Sequence, residues 1–216
     1  MTLEGTRTDS ALLRSRVYGL LRRLFEREVD AALLDWCREQ GEAGLWSTLD
    51  MELNGALEVA DSEAALEDLA VDFCQLFITS GEAGSPHESV HAADPEQKAL
   101  LWGDSAAHAK DLYREAGFEL EASAHQLPDA LTVEFEFMER LCREEAALRE
   151  TGEEGPPEEI QRIRLLQQRM LAEHLHKWVP DYGRKLGAAA NTDFYRAMLN
   201  LAADFVEWDA EMAARD

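Results

Sequence analysis

His87-Glu88-Ser89-Val90-His91 matches H-E-x-x-H, in which a helix brings two imidazoles at i and i+4 onto one side of a zinc ion and the glutamate activates water. Its setting argues against a zinc hydrolase. Pro86 precedes the match and Asp94-Pro95 opens a new helix, leaving under two turns for a motif that usually lies within a long helix. The extended form H-x-x-G-x-x-H fails as well, with Asp94 and Gln97 at its last two required positions, although His108 or Glu115 could be a third ligand. A second metal chemistry would use two E-x-x-H pairs, Glu88 with His91 and Glu173 with His176, separated by an acidic helix carrying Glu134, Glu136 and Glu139. Di-iron carboxylate bundles combine two such pairs with a glutamate from each of two other helices. Here the first pair sits in a Pro- and Gly-rich loop, and 44 acidic residues generate such spacings easily. His174 and His176, two apart, do not face one another, so one of them rides the surface. The expectation is a polar loop without metal. A metal-dependent helical enzyme, di-iron or less readily zinc, is the alternative.

Other chemistries find no support. There is no G-x-S-x-G elbow, no P-loop and no dinucleotide glycine fingerprint, which leaves serine hydrolase, nucleotidase and Rossmann readings without residues. No catalytic residue and no cofactor is expected. Cys37, Cys74 and Cys142 are far apart, odd in number and form no C-x-x-C pair, so they read as buried core thiols of a reducing compartment. Arg22-Arg23 lies inside an amphipathic helix and reads as a solvated face. With 21 basic against 44 acidic residues, the net charge is −23. Such a surface repels phosphate, which excludes nonspecific nucleic-acid binding and docking on anionic membranes and leaves basic or apolar partners. Residues 1–10 lack an apolar stretch before a cleavage site, and no run approaches the ~18 apolar residues of a membrane span. The expected address is the cytoplasm.

Helices must position all of this, because no segment alternates convincingly as a strand. The 216 residues, 46% hydrophobic, suffice for one domain with a core, expected over residues 1–216. Leu13, Val17, Leu20, Leu21, Leu24 and Phe25 form the first stripe, and a second helix begins near Asp30. Residues 41–44 break the pattern, and Leu45, Trp46, Leu49, Leu53 and Leu57 form a third helix. Asp61 or Ser62 caps a fourth carrying Leu66, Leu69, Phe73 and Leu76. Residues 79–93 read as the longest loop of the first half, functional or mobile. A fifth helix runs from Asp94-Pro95 to about Gly117, and a sixth opens at Leu127-Pro128-Asp129. An acidic linker at 152–157 precedes a seventh that Pro180 ends, and the last opens at Asn191. The expected fold class is all-α, a single-domain bundle of about eight helices.

Six stretches, in order, resemble the TorD-like family of cytoplasmic chaperones for molybdoenzymes, which includes the DmsD and NarJ types. They are Val17-Tyr18-Gly19-Leu20-Leu21; Asp72-Phe73-Cys74-Gln75-Leu76-Phe77; Ser85-Pro86-His87-Glu88-Ser89-Val90-His91; Leu127-Pro128-Asp129-Ala130-Leu131 leading into Glu134-Phe135-Glu136-Phe137-Met138; His174-Leu175-His176-Lys177-Trp178-Val179-Pro180; and Phe194-Tyr195. The resemblance implies an all-helical fold that holds a redox-enzyme subunit, often by its twin-arginine leader, until the molybdenum cofactor is inserted. Family members commonly carry aromatics where His87 and His91 stand, so the resemblance makes the H-E-x-x-H match an accident of substitution. Asp129 matches the acidic member of the family's Asp-His pair, whereas Ala130 replaces the histidine, so the resemblance implies no role here that needs that imidazole, nucleotide binding included. Leu76 and Phe77 match a Leu-Phe pair associated with the leader-binding face.

A twin-arginine leader joins two guanidinium groups to an apolar run, so its receptor needs carboxylates beside an apolar groove. Asp129, Glu88 and Glu134 are the candidate anchors; Leu76, Phe77, Pro86 and Val90, with His87, Ser89 and His91 in the same loop, are the candidate lining. The bland alternatives are that Leu76 and Phe77 are core and that Asp129 caps the sixth helix. The expected partner is the precursor of a molybdoenzyme catalytic subunit with its leader. The chain itself is expected to be a monomer or, using the hinge at 152–157, a helix-exchanged dimer.

Overall fold

The computed structural model describes residues 3–42, 45–48, 56–57, 59, 62–91, 103–120, 127–150 and 157–215. The all-helical class is borne out. In chain order the helices are α1 (Leu3–Glu26), α2 (Ala31–Glu42), α3 (Leu45–Thr48), α4 (Glu63–Phe73), α5 (Glu88–His91), α6 (Asp104–Ala116), α7 (Leu131–Glu150), α8 (Pro157–Met170), α9 (His176–Ala189) and α10 (Asp193–Arg215). All but α3 and α5 have eleven residues or more, which makes eight substantial helices among the described residues. Among the described residues there is no strand, only an isolated bridge between His87 and Ala130. No described helix is long and apolar enough to cross a membrane.

Local signals account for many boundaries. The Asp30 carboxylate accepts from the Leu33 amide at 2.9 Å and Ser62 Oγ from the Ala65 amide at 3.2 Å, each satisfying a first-turn donor. Gly117, at φ 67°, closes α6 in the left-handed conformation that a Cβ disfavours. Other expectations needed correction. Gly41 lies inside α2, not in a break: the Trp46 indole donates to the Cys37 carbonyl at 3.2 Å, and a Cβ at Gly41 would meet that ring at 3.2 Å. Pro180 does not end a helix. It sits inside α9, where Trp178, Val179, Pro180 and Tyr182 are all buried, and their packing outweighs the ~3 kcal/mol a mid-helix proline costs. Part of the expected loop at 79–93 is also ordered, as a 3₁₀ turn at Gly81–Gly84 followed by α5. The capping pair Asp94-Pro95, Leu49 and Leu53 of the third helix, and the linker up to residue 156 lie outside the described residues.

The chain packs as two compact units: Met1–Arg23, Pro86–Trp178 and Val206–Asp216 make the first, Leu24–Ser85 and Val179–Phe205 the second. In the first, Tyr113, Phe118 and Phe137 pack edge to face at 4.8 to 5.5 Å, and buried Asp209 accepts from the Tyr18 hydroxyl at 2.6 Å and from Arg14 Nη2 at 3.0 Å, with Arg14 Nε in ion-pair contact at 2.6 Å. That ion pair, with the Tyr18 hydroxyl, is what allows a carboxylate to be buried there. In the second unit, Phe77 packs on Phe25, Phe73 and Tyr195 at 5.2, 5.0 and 6.1 Å. Buried Asp72 ties α4 to the start of α10 through Asn191 and Thr192.

Candidate functional site

Backbone hydrogen bonds fasten residues 86–91 to the turn before α7. The Leu131 amide donates to the Pro86 carbonyl at 2.9 Å and the Glu88 amide to the Asp129 carbonyl at 3.0 Å, flanking the bridge at His87. Asp129 adds its side chain: Oδ2 accepts from the Ser89 amide at 3.0 Å. A four-residue helix such as α5 cannot persist alone, and this bond satisfies one of its orphan donors. Asp129 therefore caps α5, forty residues away, and not the helix it precedes. It is fully buried, and its Oδ1 has no partner.

With α5 so held, the Glu88 side chain turns into the first unit, where its Oε2 lies 2.6 Å from His174 Nδ1. Glu134 comes in from α7 with Oε1 at 4.0 Å from the same nitrogen. His174 is 1% exposed and Glu134 0%, and neither Glu134 oxygen is in full hydrogen-bond geometry, although the Trp178 indole and the Glu88 carboxyl act on it. Burial, then the neighbouring Glu88 and Asp129 charges, push the Glu134 carboxyl well above the usual carboxylate range; the Trp178 indole favours the charged form less strongly. The same burial and carboxylates raise the Tyr113 phenol, whose hydroxyl donates to the Pro128 carbonyl at 2.8 Å. On its far side His174 Nε2 lies 2.9 Å from His108 Nδ1, and His108 Nε2 is 3.3 Å from Glu173 Oε2. Glu88, Glu134 and His174 each offer one ligand atom, all within 4.8 Å of one another. This is the group among the described residues that could hold a metal.

Neither metal motif read from the sequence assembles as spaced. His91 stacks flat on Trp178, with ring centroids 5.2 Å apart, while His87 takes part in the bridge to Ala130, so H-E-x-x-H supplies only its glutamate to the cluster. Burial lowers the His87 pKa against the pull of Asp129. Of Glu173 and His176, the first lies outside the group beside His108 and the second is exposed, as expected for one of the two neighbouring histidines. Helical spacing explains the exchange: His174 stands three residues past Leu171, four past Met170 and four before Trp178, on the buried stripe, whereas His176 and Lys177 fall on the exposed side. The E-x-x-H spacing selects His176, but the 3.6-residue period through Met170, Leu171, Leu175 and Trp178 points to His174, which also falls in a resemblance-bearing stretch.

Leu76 and Phe77 belong to the second unit. They lie in another π-helical turn, Cys74–Ile78, which continues α4. Leu76 is buried, and Phe77 is half-buried in the aromatic cluster. The Leu76 carbonyl accepts the Ser80 hydroxyl, and Gly84 packs so closely on it that a Cβ would overlap. The apolar side chains these two elements expose are Val71 and Ile78, at 50% and 64%.

The family model described as nitrate reductase delta subunit matches residues 39–182. The perchlorate reductase assembly chaperone protein of Dechloromonas aromatica (strain RCB) is 30% identical over 93% of this chain and 90% of its own. The chaperone protein TorD of Shewanella pealeana is 25% identical over 92% and 89%, and that of Vibrio cholerae serotype O1 24% over 69% and 64%. By the extent of these matches the chain belongs to the TorD/NarJ family, whose members are assembly chaperones and not enzymes.

Proposed function

We propose that this chain is a cytoplasmic assembly chaperone for the catalytic subunit of a molybdopterin-dependent oxidoreductase. It engages the subunit's twin-arginine leader, its mature body, or both, and holds back export while the cofactor is inserted. The observation that carries this reading is similarity to a perchlorate reductase assembly chaperone along nearly the whole chain. Residues 86–91 are the proposed contact in the first unit: Pro86, His87, Val90 and His91 are half-buried and reachable, and Ser89 and Glu88 are fixed beneath them. Asp129 and Glu134 are buried behind this segment, so in the proposal they set its position and its field, and a guanidinium reaches them only if the segment shifts. Phe77 is the proposed apolar contact of the second unit, with Leu76 packed beneath it. The net charge of −23 favours a basic ligand.

Titrating a synthetic twin-arginine leader while following tryptophan fluorescence tests the reading. Saturable binding that weakens as salt rises is expected, because exposed charges are screened beyond ~10 Å at 0.1 M. Asp129→Asn keeps the shape of the α5 cap but removes the charge, and should weaken the leader about tenfold, the equivalent of ~1.4 kcal/mol. No saturable binding, together with no molybdoenzyme precursor retained in a pull-down, would remove the proposal.

A further inference from the structure

We infer that Glu88, Glu134 and His174 form a binding site for one divalent first-row transition-metal ion such as zinc, iron(II) or manganese. The inference does not depend on leader binding. Its first support is the donor set: two carboxylate oxygens and one imidazole nitrogen, from α5, α7 and the turn 171–175, within 4.8 Å of one another. Ligands of a metal bound at about 2.0–2.2 Å stand roughly 3–4 Å apart. The separations from His174 Nδ1, 2.6 Å to Glu88 and 4.0 Å to Glu134, bracket that range. Such a mixed set suits these ions and not calcium, which takes six to eight oxygens.

The second support is Glu134. A completely buried carboxyl whose oxygens meet no full hydrogen-bond geometry is costly even with the Trp178 indole beside it, and here it faces the ligand atoms of Glu88 and His174. Two carboxylates, a neutral imidazole and a dication sum to zero charge, which removes that cost. The third support is the outer partner. With Nδ1 on a metal, His174 carries its proton on Nε2, which donates to His108 Nδ1 at 2.9 Å, and His108 Nε2 lies 3.3 Å from Glu173 Oε2. Metal-bound histidines are ordinarily held by such an outer partner on the other ring nitrogen. An ion here would cross-link three segments remote in sequence and lock residues 86–91 in place.

The test uses the full chain, made without a polyhistidine tag and stripped with a chelator. Zinc, cobalt(II) and manganese(II) are titrated separately by calorimetry in two buffers of different ionisation enthalpy. We expect one ion per chain, with proton release. Glu134→Gln and His174→Gln should each weaken binding more than about a hundredfold and His108→Phe about tenfold, as loss of an outer partner does. His176→Ala, an exposed control, should bind as the parent does. Failure of all three ions to bind at one per chain overturns the inference, as does undiminished binding by Glu134→Gln and His174→Gln, which would place the ions on surface carboxylates. If those variants do not fold, pulsed electron paramagnetic resonance of the parent chain loaded with manganese decides: coupling to one imidazole nitrogen supports the site, and its absence sinks it.

Discussion

Asp72→Ala should destabilise the protein by about 3 kcal/mol. Oδ1 accepts from the backbone and side-chain nitrogens of Asn191 at 3.1 and 3.3 Å, and Oδ2 from the backbone nitrogen and hydroxyl of Thr192 at 2.8 and 2.7 Å. Thr192 Oγ1 also lies 3.3 Å from the Tyr195 amide, as the cap of α10, so Asp72 holds the residue that starts the last helix. A buried carboxylate with four donors would contribute ~1.5–3 kcal/mol per bond if every partner were dry. Asn191 is exposed and Thr192 half-exposed, so water replaces part of what truncation removes, and ~0.5–1 kcal/mol per bond is the appropriate scale. Asp72→Asn should lose about half as much, because one oxygen survives while the new amide confronts the Thr192 N–H. Urea unfolding followed by circular dichroism measures both differences, and the melting temperature of Asp72→Ala should fall by ~6–12 °C. A loss below ~0.5 kcal/mol, the scale of an ordinary surface change, would refute the assignment of Asp72 as the tie between α4 and α10.

The buried thiols and phenols yield two more expectations. Burial pushes Cys37 and Cys142 up to about 12, so a thiolate-selective reagent at neutral pH should modify at most Cys74 in the native chain and all three thiols in denaturant; rapid native labelling of all three would contradict the packing. Burial, and for Tyr18 also the charge of Asp209, raise the phenols of Tyr18 and Tyr182 above 10.0. A proton held more tightly in the folded state contributes stability below the unfolded value of ~10, and loses it as pH rises through the folded one. Tyrosinate absorbance and loss of helix should therefore rise together in an alkaline titration, and ionisation of these tyrosines near pH ~10 with the helices intact would show them to be accessible.

Much of the architecture could be read before any coordinates. The stripes of α7, α8 and α10 are long and regular, with Phe194, Met198, Leu201, Ala202 and Phe205 buried as their spacing requires, and Ser62 and Asp30 cap where their side chains predict. Local rules failed where distant packing overrides them. The glycine at 41 looks like a break until Trp46 is laid across it, and Pro180 looks like a terminator until its buried neighbours are known. The candidate site was half legible. Glu88, Asp129 and Glu134 emerged from motif and resemblance; His174 lies on the apolar period of its own helix, between Leu171 and Trp178, but the E-x-x-H spacing drew attention to His176 instead.

Because the main chain of residues 86 to 88 carries most of the attachment to the turn before α7, that attachment does not depend on which side chains stand at 87, 90 and 91, although His91 also stacks on Trp178. A relative can place aromatic rings there, and this chain imidazoles, over an unchanged scaffold. Under the proposed function, substitutions at those positions would retune client contact, much as a tool holder accepts different bits, while leaving the backbone attachment beneath in place.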